Sequence, residues 1–324
     1  MKDGFGREID YLRISVTDKC NLRCKYCMPQ NGVDNIPHGD VLSLEELYRV
    51  VRIMEPLGIK KLRFTGGEPL VRKNLAKLIG DVNSIPGIED IAMTTNGVLL
   101  RENLDALARA GLRRVNISLD TCDRQTFERI TGYDGLERVM NAIYAASEAG
   151  MQVKLNCVPC RELNGDGIDA LAQLARDKRL DVRFIELMPI GCGRSFHGIA
   201  SEEILAGLKA KHGPCKEAPC ERRGETARYY LFDGFLGRIG FISPMSHKFC
   251  SDCNRVRLTV EGRLKLCLHY NDGIELKPLL RGGKSDEEIR ERILAAVRRK
   301  PQAHAFSEHD GSNADKRKMV QIGG

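Results

Sequence analysis

The chain is 324 residues long, 42% hydrophobic, 29% charged and 6% aromatic, without tryptophan. That length suffices for one large or two modest domains with a buried core, and the composition is neither disordered, collagen-like nor low in complexity. Lys and Arg outnumber Asp and Glu by 51 to 44, a formal +7 that suits a phosphorylated substrate but is too small and dispersed for a nucleic-acid binder. No apolar run reaches the roughly 18 residues of a membrane span, and the opening MKDGFGREID lacks the apolar core of a secretory signal. A soluble, cytoplasmic protein is expected, with no membrane and no nucleic acid among its partners.

In chain order, residues 10–17 (DYLRISVT) read as a strand. A helix over 43–58 follows, with Leu44, Leu47, Val51 and Met54 at helical spacing, a capping box of Ser43 and Glu46, and Pro56 and Gly58 at its end. Apolar runs at 60–65, 89–95, 112–119, 151–158 and 181–188 then read as buried strands, separated by helical segments near 73–84, 101–110, 136–149 and 167–178. Strands alternating with helices imply βαβ units and a parallel sheet. About six units in some 200 residues fit an incomplete (β/α)6 TIM-like barrel better than eight closed strands. The segment 212–225, rich in Pro, Gly and charge, reads as a loop or seam that divides the chain into 1–211 and 212–324. Beyond it, ARYYLF, GRIGFIS, NRVRLTV and GRLKLCL read as short strands with close turns, an antiparallel C-terminal extension expected to close the barrel mouth. Residues 286–300 read as a helix, before a polar tail that ends Gly323-Gly324.

Cysteine is the informative residue type. In a reducing compartment twelve cysteines are better read as metal ligands or catalytic thiols than as bridges, and they cluster. Cys20, Cys24 and Cys27 form a CxxxCxxC array, and three thiolates at this spacing can wrap one iron–sulfur cluster while leaving one iron open. A zinc knuckle is the alternative, and would need a fourth ligand such as His38. Cys250, Cys253 and Cys267 form a second array, CxxC-x13-C, for which a zinc ribbon with His247 or His269 stays open. Between them Arg255 and Arg257 fall on one face of a strand. Beside a metal site two guanidiniums make an anion pocket; otherwise they are an ordinary solvated face. Cys122, Cys157, Cys160, Cys192, Cys215 and Cys220 have no assigned role. Cys157-Val-Pro-Cys160 is read as buried small apolar side chains, with a metal or redox pair as the alternative.

CxxxCxxC with an aromatic before its last cysteine resembles the radical S-adenosylmethionine superfamily, in which the open iron chelates S-adenosylmethionine and one electron from the cluster cleaves it. Thr65-Gly66-Gly67-Glu68-Pro69, after the second strand, looks like that family's GGEP motif, with Glu68 and nearby carbonyls expected to accept the ammonium group. Thr94-Thr95-Asn96-Gly97, Ser118-Leu119-Asp120 and Met188 fall at the ends of later strands, where (β/α) barrels build their sites.

The two arrays together, the Arg-x-Arg and the terminal Gly-Gly resemble the GTP 3′,8-cyclase family along essentially the whole chain, from FGR near the start to IGG at the end. The resemblance implies two [4Fe–4S] clusters, the first in residues 1–211 on Cys20, Cys24 and Cys27, the second in 212–324 on Cys250, Cys253 and Cys267. It implies S-adenosylmethionine contacts at Tyr26, Gly67, Ser118 and Met188, and GTP contacts at Arg13, Lys61, Arg63, Thr94, Lys154, Arg183, Arg255 and Arg257. Arg13, Gly323 and Gly324 are implied in turnover, the tail reaching toward the site instead of lying disordered. The implied reaction takes hydrogen from C3′ of GTP and joins C3′ to C8, giving 3′,8-cyclo-7,8-dihydro-GTP, the first step of molybdenum cofactor biosynthesis. The implied partners are an electron donor of the flavodoxin or ferredoxin type and a downstream cyclic pyranopterin monophosphate synthase; a homodimer is left open. Two other readings are kept: a radical enzyme with an auxiliary cluster acting on a peptide, and a zinc-stabilised nucleic-acid-binding module.

Overall fold

A computed structural model of the chain describes residues 1–34, 36–219, 224–306 and 313–323. Its framework is six parallel strands in sequence order: β1 (Tyr11–Ser15), β2 (Lys61–Thr65), β3 (Asp90–Thr95), β4 (Arg114–Ser118), β5 (Gln152–Cys157) and β6 (Asp181–Ile185). Between them run α1 (Leu44–Met54), α2 (Leu75–Asn83), α3 (Leu100–Arg109), α4 (Arg124–Thr131), α5 (Leu136–Glu148) and α6 (Ile168–Asp177). The capping box that opens α1 is present in both directions, Glu46 N donating to Ser43 Oγ at 3.1 Å and Ser43 N to Glu46 Oε2 at 2.7 Å.

The C-terminal strands do not form a separate antiparallel layer. β9 (Ile239–Ile242) joins β6 in parallel and β10 (Arg255–Leu258) joins β1 in parallel, so both flanks of the six-strand framework are extended. Only the outer strands are antiparallel: β7 (Cys215–Ala218) and β8 (Arg228–Phe232) beyond β9, β11 (Arg263–Lys265) and β12 (Gly273–Glu275) beyond β10. Among the described residues this is one mixed sheet of twelve strands, edged by β7 and β12. β7 lies where the sequence reads as a loop; its Lys216 and Glu217 are exposed, so an edge strand carries no apolar alternation to reveal it. The helix α7 (Ser201–His212) also escaped the periodicity, since apolar burial along it is confined to Ile204 and Leu208. α8 (Lys277–Arg281), α9 (Asp286–Val297) and α10 (Met319–Ile322) complete the chain. No helix is long and apolar enough to cross a membrane.

Alternation along the strands determines what each face does. Leu12, Ile14, Leu62, Phe64, Met93, Val115, Ile117, Leu155, Val182, Phe184, Val256 and Leu258 are buried in the core against the helices. The residues between them point the other way, and there the strands are polar: Tyr11 and Arg13 on β1, Lys61 and Arg63 on β2, Arg114 and Asn116 on β4, Lys154 and Asn156 on β5, Arg183 on β6, Arg255 and Arg257 on β10. All of these line one cavity, so the sheet curves around it.

Candidate active site

The cavity has a volume of about 430 Å³, within the usual range for small-molecule sites. The loop after β1 carries Cys20, Cys24 and Cys27, and the loop after β2 carries the GGEP motif, and the two are packed backbone to backbone. Gly67 N donates to Thr17 O at 2.8 Å and Glu68 N to Lys19 O at 2.8 Å. A Cβ on Gly67 would sit 2.3 Å from Lys19 O, and one on Gly66, whose φ is +149°, 2.4 Å from Thr17 O. The paired glycines are therefore required by this close approach. On its other side the cysteine loop is held to the end of α4, by Arg23 N to Thr131 O at 2.7 Å and Lys25 N to Ile130 O at 3.1 Å.

Glu68, suggested by the sequence as an acceptor for an ammonium group, already serves donors of the protein itself. It is buried, Oε1 accepting from Thr95 Oγ1 at 2.7 Å and Leu70 N at 3.0 Å, Oε2 from Asn96 N at 2.7 Å. It ties the β2 loop to the end of β3, and burial pushes its pKa up to about 7. Asp120 does similar work after β4, accepting from Tyr26 Oη at 2.6 Å and Val158 N at 2.9 Å, with its pKa raised by burial to about 6. Tyr26, next to Cys27, is thus fixed by a residue on another strand end.

All six cysteines of the two arrays are free thiols and all six line the cavity. Burial raises Cys20, Cys24 and Cys27, Cys27 to about 12, so these thiols ionise only when a cationic group arrives to take them as thiolates. At the second array burial would raise Cys253 too, but the Lys300 ammonium and the Arg255 guanidinium outweigh it and hold the thiol below its usual value. Among the described residues no three Cys, His, Asp or Glu converge closely enough for a single metal ion. The two histidines considered as zinc ligands are engaged elsewhere, His247 with Glu202 at 3.1 Å and His269 against the rings of Tyr270 and Phe306.

The wall between the arrays is cationic. Register pairs Arg13 with Arg257 on one side and Arg63 on the other, and Tyr11 likewise with Arg255 and Lys61. Arg63 and Arg255 each lie 5.6 Å from the centroid of the Tyr11 ring, one over each neighbouring strand. Some cations have acidic partners: Lys61 with Asp10 at 2.9 Å, and Lys154 with Asp181 at 3.3 Å and Glu225 at 3.6 Å. Arg183 donates to Asn156 Oδ1 at 2.9 Å and Asn116 Oδ1 at 2.6 Å. The Nε atoms of Arg13, Arg63 and Arg255 and the Tyr11 hydroxyl are buried without a hydrogen-bond partner among the described residues. Burial, then repulsion from Arg257 and Arg63, pulls Arg13 well below the usual arginine range, and burial with Arg255 pulls Arg257 to about 10. Buried donors and crowded like charges are both relieved by a bound polyanion.

The structure places every sequence-derived site residue on this cavity except those of the tail. Tyr26, Gly67, Ser118 and Met188 line it, as do Arg13, Lys61, Arg63, Thr94, Lys154, Arg183, Arg255 and Arg257. Met188 lies three residues beyond the end of β6 instead of closing it. Gly323 accepts at its carbonyl from Arg257 Nη1 at 2.7 Å, while Gly324 and Cys220 lie outside the described residues. Cys157 and Cys160 are buried within apolar clusters. Sequence reasoning missed Tyr11, visible only through the alternation of β1, and Lys300, which is buried on the cavity and donates to Arg255 O at 3.0 Å and to Leu266 O. It also gave no role to Arg7, which donates to Cys250 O at 2.7 Å and to Pro301 O at 2.6 Å.

Comparison with known proteins decides the family. Residues 14–175 match the radical SAM superfamily model, and residues 180–306 the model described as Molybdenum Cofactor Synthesis C. GTP 3′,8-cyclase of Clostridium perfringens (strain 13 / Type A) is 47% identical over 324 residues, all of both chains. The chain belongs to the GTP 3′,8-cyclase family. Another member, from Thermodesulfovibrio yellowstonii, is 44% identical over 331 residues, again spanning both chains. The fold is also that of Streptococcus suis SuiB bound to S-adenosylmethionine, with a TM-score of 0.61 at 14% identity, covering 90% of this chain and 68% of that one. Membership in the GTP 3′,8-cyclase family makes the chain a radical S-adenosylmethionine enzyme of molybdenum cofactor biosynthesis and sets aside the nucleic-acid-binding module.

Two outcomes are expected. Gly67→Ala forces the two loops apart, and iron bound by the anaerobically prepared protein falls by about four atoms per chain, measured against wild type at matched folding by circular dichroism. Asp120 has a folded pKa above its unfolded one, so the folded state holds the extra proton between about pH 4 and 6 and loses that advantage as pH rises. The stability of cofactor-free wild type relative to Asp120→Asn should therefore fall from pH 4.5 to 6.5 in urea titrations; a difference that rises or stays flat contradicts the burial of Asp120.

Proposed function

We propose that this chain converts GTP to 3′,8-cyclo-7,8-dihydro-GTP in the cavity between its two cysteine arrays. The observation that carries the reading is that both arrays and the cationic strand face open onto one cavity. Cys20, Cys24 and Cys27 would hold one [4Fe–4S] cluster and Cys250, Cys253 and Cys267 a second; free thiols that line one cavity suit such groups. Bound there, the first cluster and S-adenosylmethionine would supply the electron and the 5′-deoxyadenosyl radical that takes hydrogen from C3′.

The protein's own residues do the rest. Tyr26, Gly67, Ser118 and Met188 would hold S-adenosylmethionine, with Asp120 fixing Tyr26 and Glu68 fixing the loop that contains Gly67. Arg13, Lys61, Arg63, Thr94, Lys154, Arg183, Arg255 and Arg257 would hold GTP. The orphaned Nε donors of Arg13, Arg63 and Arg255 are suited to phosphate oxygens, which guanidinium forks bind through paired charge-assisted hydrogen bonds. Gly323, against Arg257, would help close the site and keep water from the reacting atoms. In this reading residues 1–211 form an incomplete (β/α)6 barrel that carries the radical source. Residues 212–324 complete the mouth and carry the substrate side. An electron donor of the flavodoxin or ferredoxin type and a cyclic pyranopterin monophosphate synthase would stand before and after the reaction.

Two measurements test the reading. Anaerobic wild type should contain about eight irons with matching sulfide, and Cys250→Ser/Cys253→Ser about four, with GTP affinity lost; one zinc in place of the second set, with GTP binding unaffected, would mean a different substrate. Arg255→Ala/Arg257→Ala should weaken GTP binding at least about tenfold while iron content stays at the wild-type level, and tight GTP binding by this variant would move the anion pocket elsewhere.

A further inference from the structure

We infer that the buried ion pair of Asp315 with Lys265 is the anchor that sets the register of the C-terminal tail, making Asp315 a positioning residue for the reaction. The inference rests on the proposed function for its catalytic consequence, though not for its geometry.

The tail enters beside the second cysteine array. Asn271 N donates to Asn313 O at 2.9 Å, Asp315 N to His269 O at 2.8 Å, and Tyr270 bridges Ala314 in antiparallel fashion, so residues 313–315 pair with the backbone just past Cys267. The Asp315 carboxylate then meets Lys265, two residues before Cys267, with side-chain exposures of 4% and 0%. Arg317 folds back onto the same carboxylate, with contacts of 3.1 Å from Nε and 2.9 Å from Nη2. From there α10 crosses to the first array, where Met319 and Val320 line a small pocket together with Cys20, Cys24, Cys27 and Gly67. The described tail ends at Gly323, in left-handed backbone with φ +71°, its carbonyl on Arg257.

Lys265 and Arg257 are direct cross-strand partners on β11 and β10. One pair of side chains on the sheet therefore holds both ends of the 315–323 segment: Lys265 takes its start and Arg257 its finish. Two charges removed this fully from water are poor stabilisers compared with apolar side chains of similar size, and their best-attested use is to select one register among several. Here a slip of the tail by one residue would leave Lys265 buried without a partner. Arg257 would then lose the Gly323 carbonyl, and Met319 and Val320 would move off the first array. The strand that ends in Lys265 runs directly into Cys267, so the second array and the tail are positioned by the same three-residue strand.

The test uses the full chain, anaerobically loaded with iron and sulfide. In Asp315→Asn, iron content should match wild type and the dissociation constant for GTP should change less than about threefold, because the substitution removes no cysteine of either array and no side chain of the anion wall. Amide hydrogen exchange at 319–322 should quicken at least about tenfold, and cyclised product per 5′-deoxyadenosine should fall at least about tenfold. Asp315→Glu, which keeps the charge, should recover most of both. Because an unpaired buried lysine could disturb the fold, Lys265→Met/Asp315→Ala provides a second variant without that charge, and the same faster tail exchange is expected. Wild-type protection at 319–322 in both variants, or faster exchange with undiminished product per 5′-deoxyadenosine, overturns the anchor. A wild-type enzyme that cleaves S-adenosylmethionine but never cyclises GTP overturns the proposed function instead, and leaves the exchange result to judge the anchor by itself.

Discussion

Strand register is the constraint on which the rest of this structure depends. Because β10, β1 and β2 are parallel and aligned residue for residue, Arg257, Arg13 and Arg63 share one level of the sheet, and Arg255, Tyr11 and Lys61 the next. A shift of one residue in any of these strands would send its cations into the apolar layer beneath the helices and its Leu, Ile or Val residues into the cavity. The apolar layer is thus what fixes the facing of the cations: Leu12, Ile14, Leu62, Phe64, Val256 and Leu258 are all nearly inaccessible to water, and a one-residue slip would lose that burial.

The same arrangement places the chain under electrostatic load. Cations that repel one another and, at the first array, thiols that burial keeps protonated line a single cavity. Each is a poor solution for stability and a good one for affinity, since the desolvation of these groups is already complete before a ligand arrives. Glu68 and Asp120 show the complementary tactic. Their carboxylates are spent on backbone amides and on Thr95 and Tyr26, which ties together the loops around the first array.

Much of this was legible in the sequence. Both cysteine arrays, the GGEP turn, the strand-end polar motifs and the Arg-x-Arg depend on local spacing, and local spacing survives into the fold. What stayed hidden depends on which strands become neighbours. Tyr11 looks like one more apolar residue of a strand until Arg255 and Lys61 are set beside it. Lys300 is a lysine at the end of a helix until its ammonium is found between the carbonyls of Arg255 and Leu266. Asp315 sits in a polar stretch whose composition resembles any solvated tail. The antiparallel character expected of the C-terminal strands holds for their pairings with one another and misses the two parallel joints to the framework for a similar reason. Short strands with close turns favour hairpins, but β9 and β10 each have one hairpin partner and one parallel partner, and only the longer framework dictates the second.

β10 pairs with β1 across about 240 residues of intervening chain, so this joint closes a very long loop, the kind of non-local contact that slows folding. Until it closes, β1 offers one unpaired edge, a template for pairing with other chains. In the folded sheet Arg255 and Arg257 stand beside Arg13 and Arg63 over the packed apolar side chains of β10, β1 and β2, so the repulsion between the guanidiniums is carried by the core beneath them.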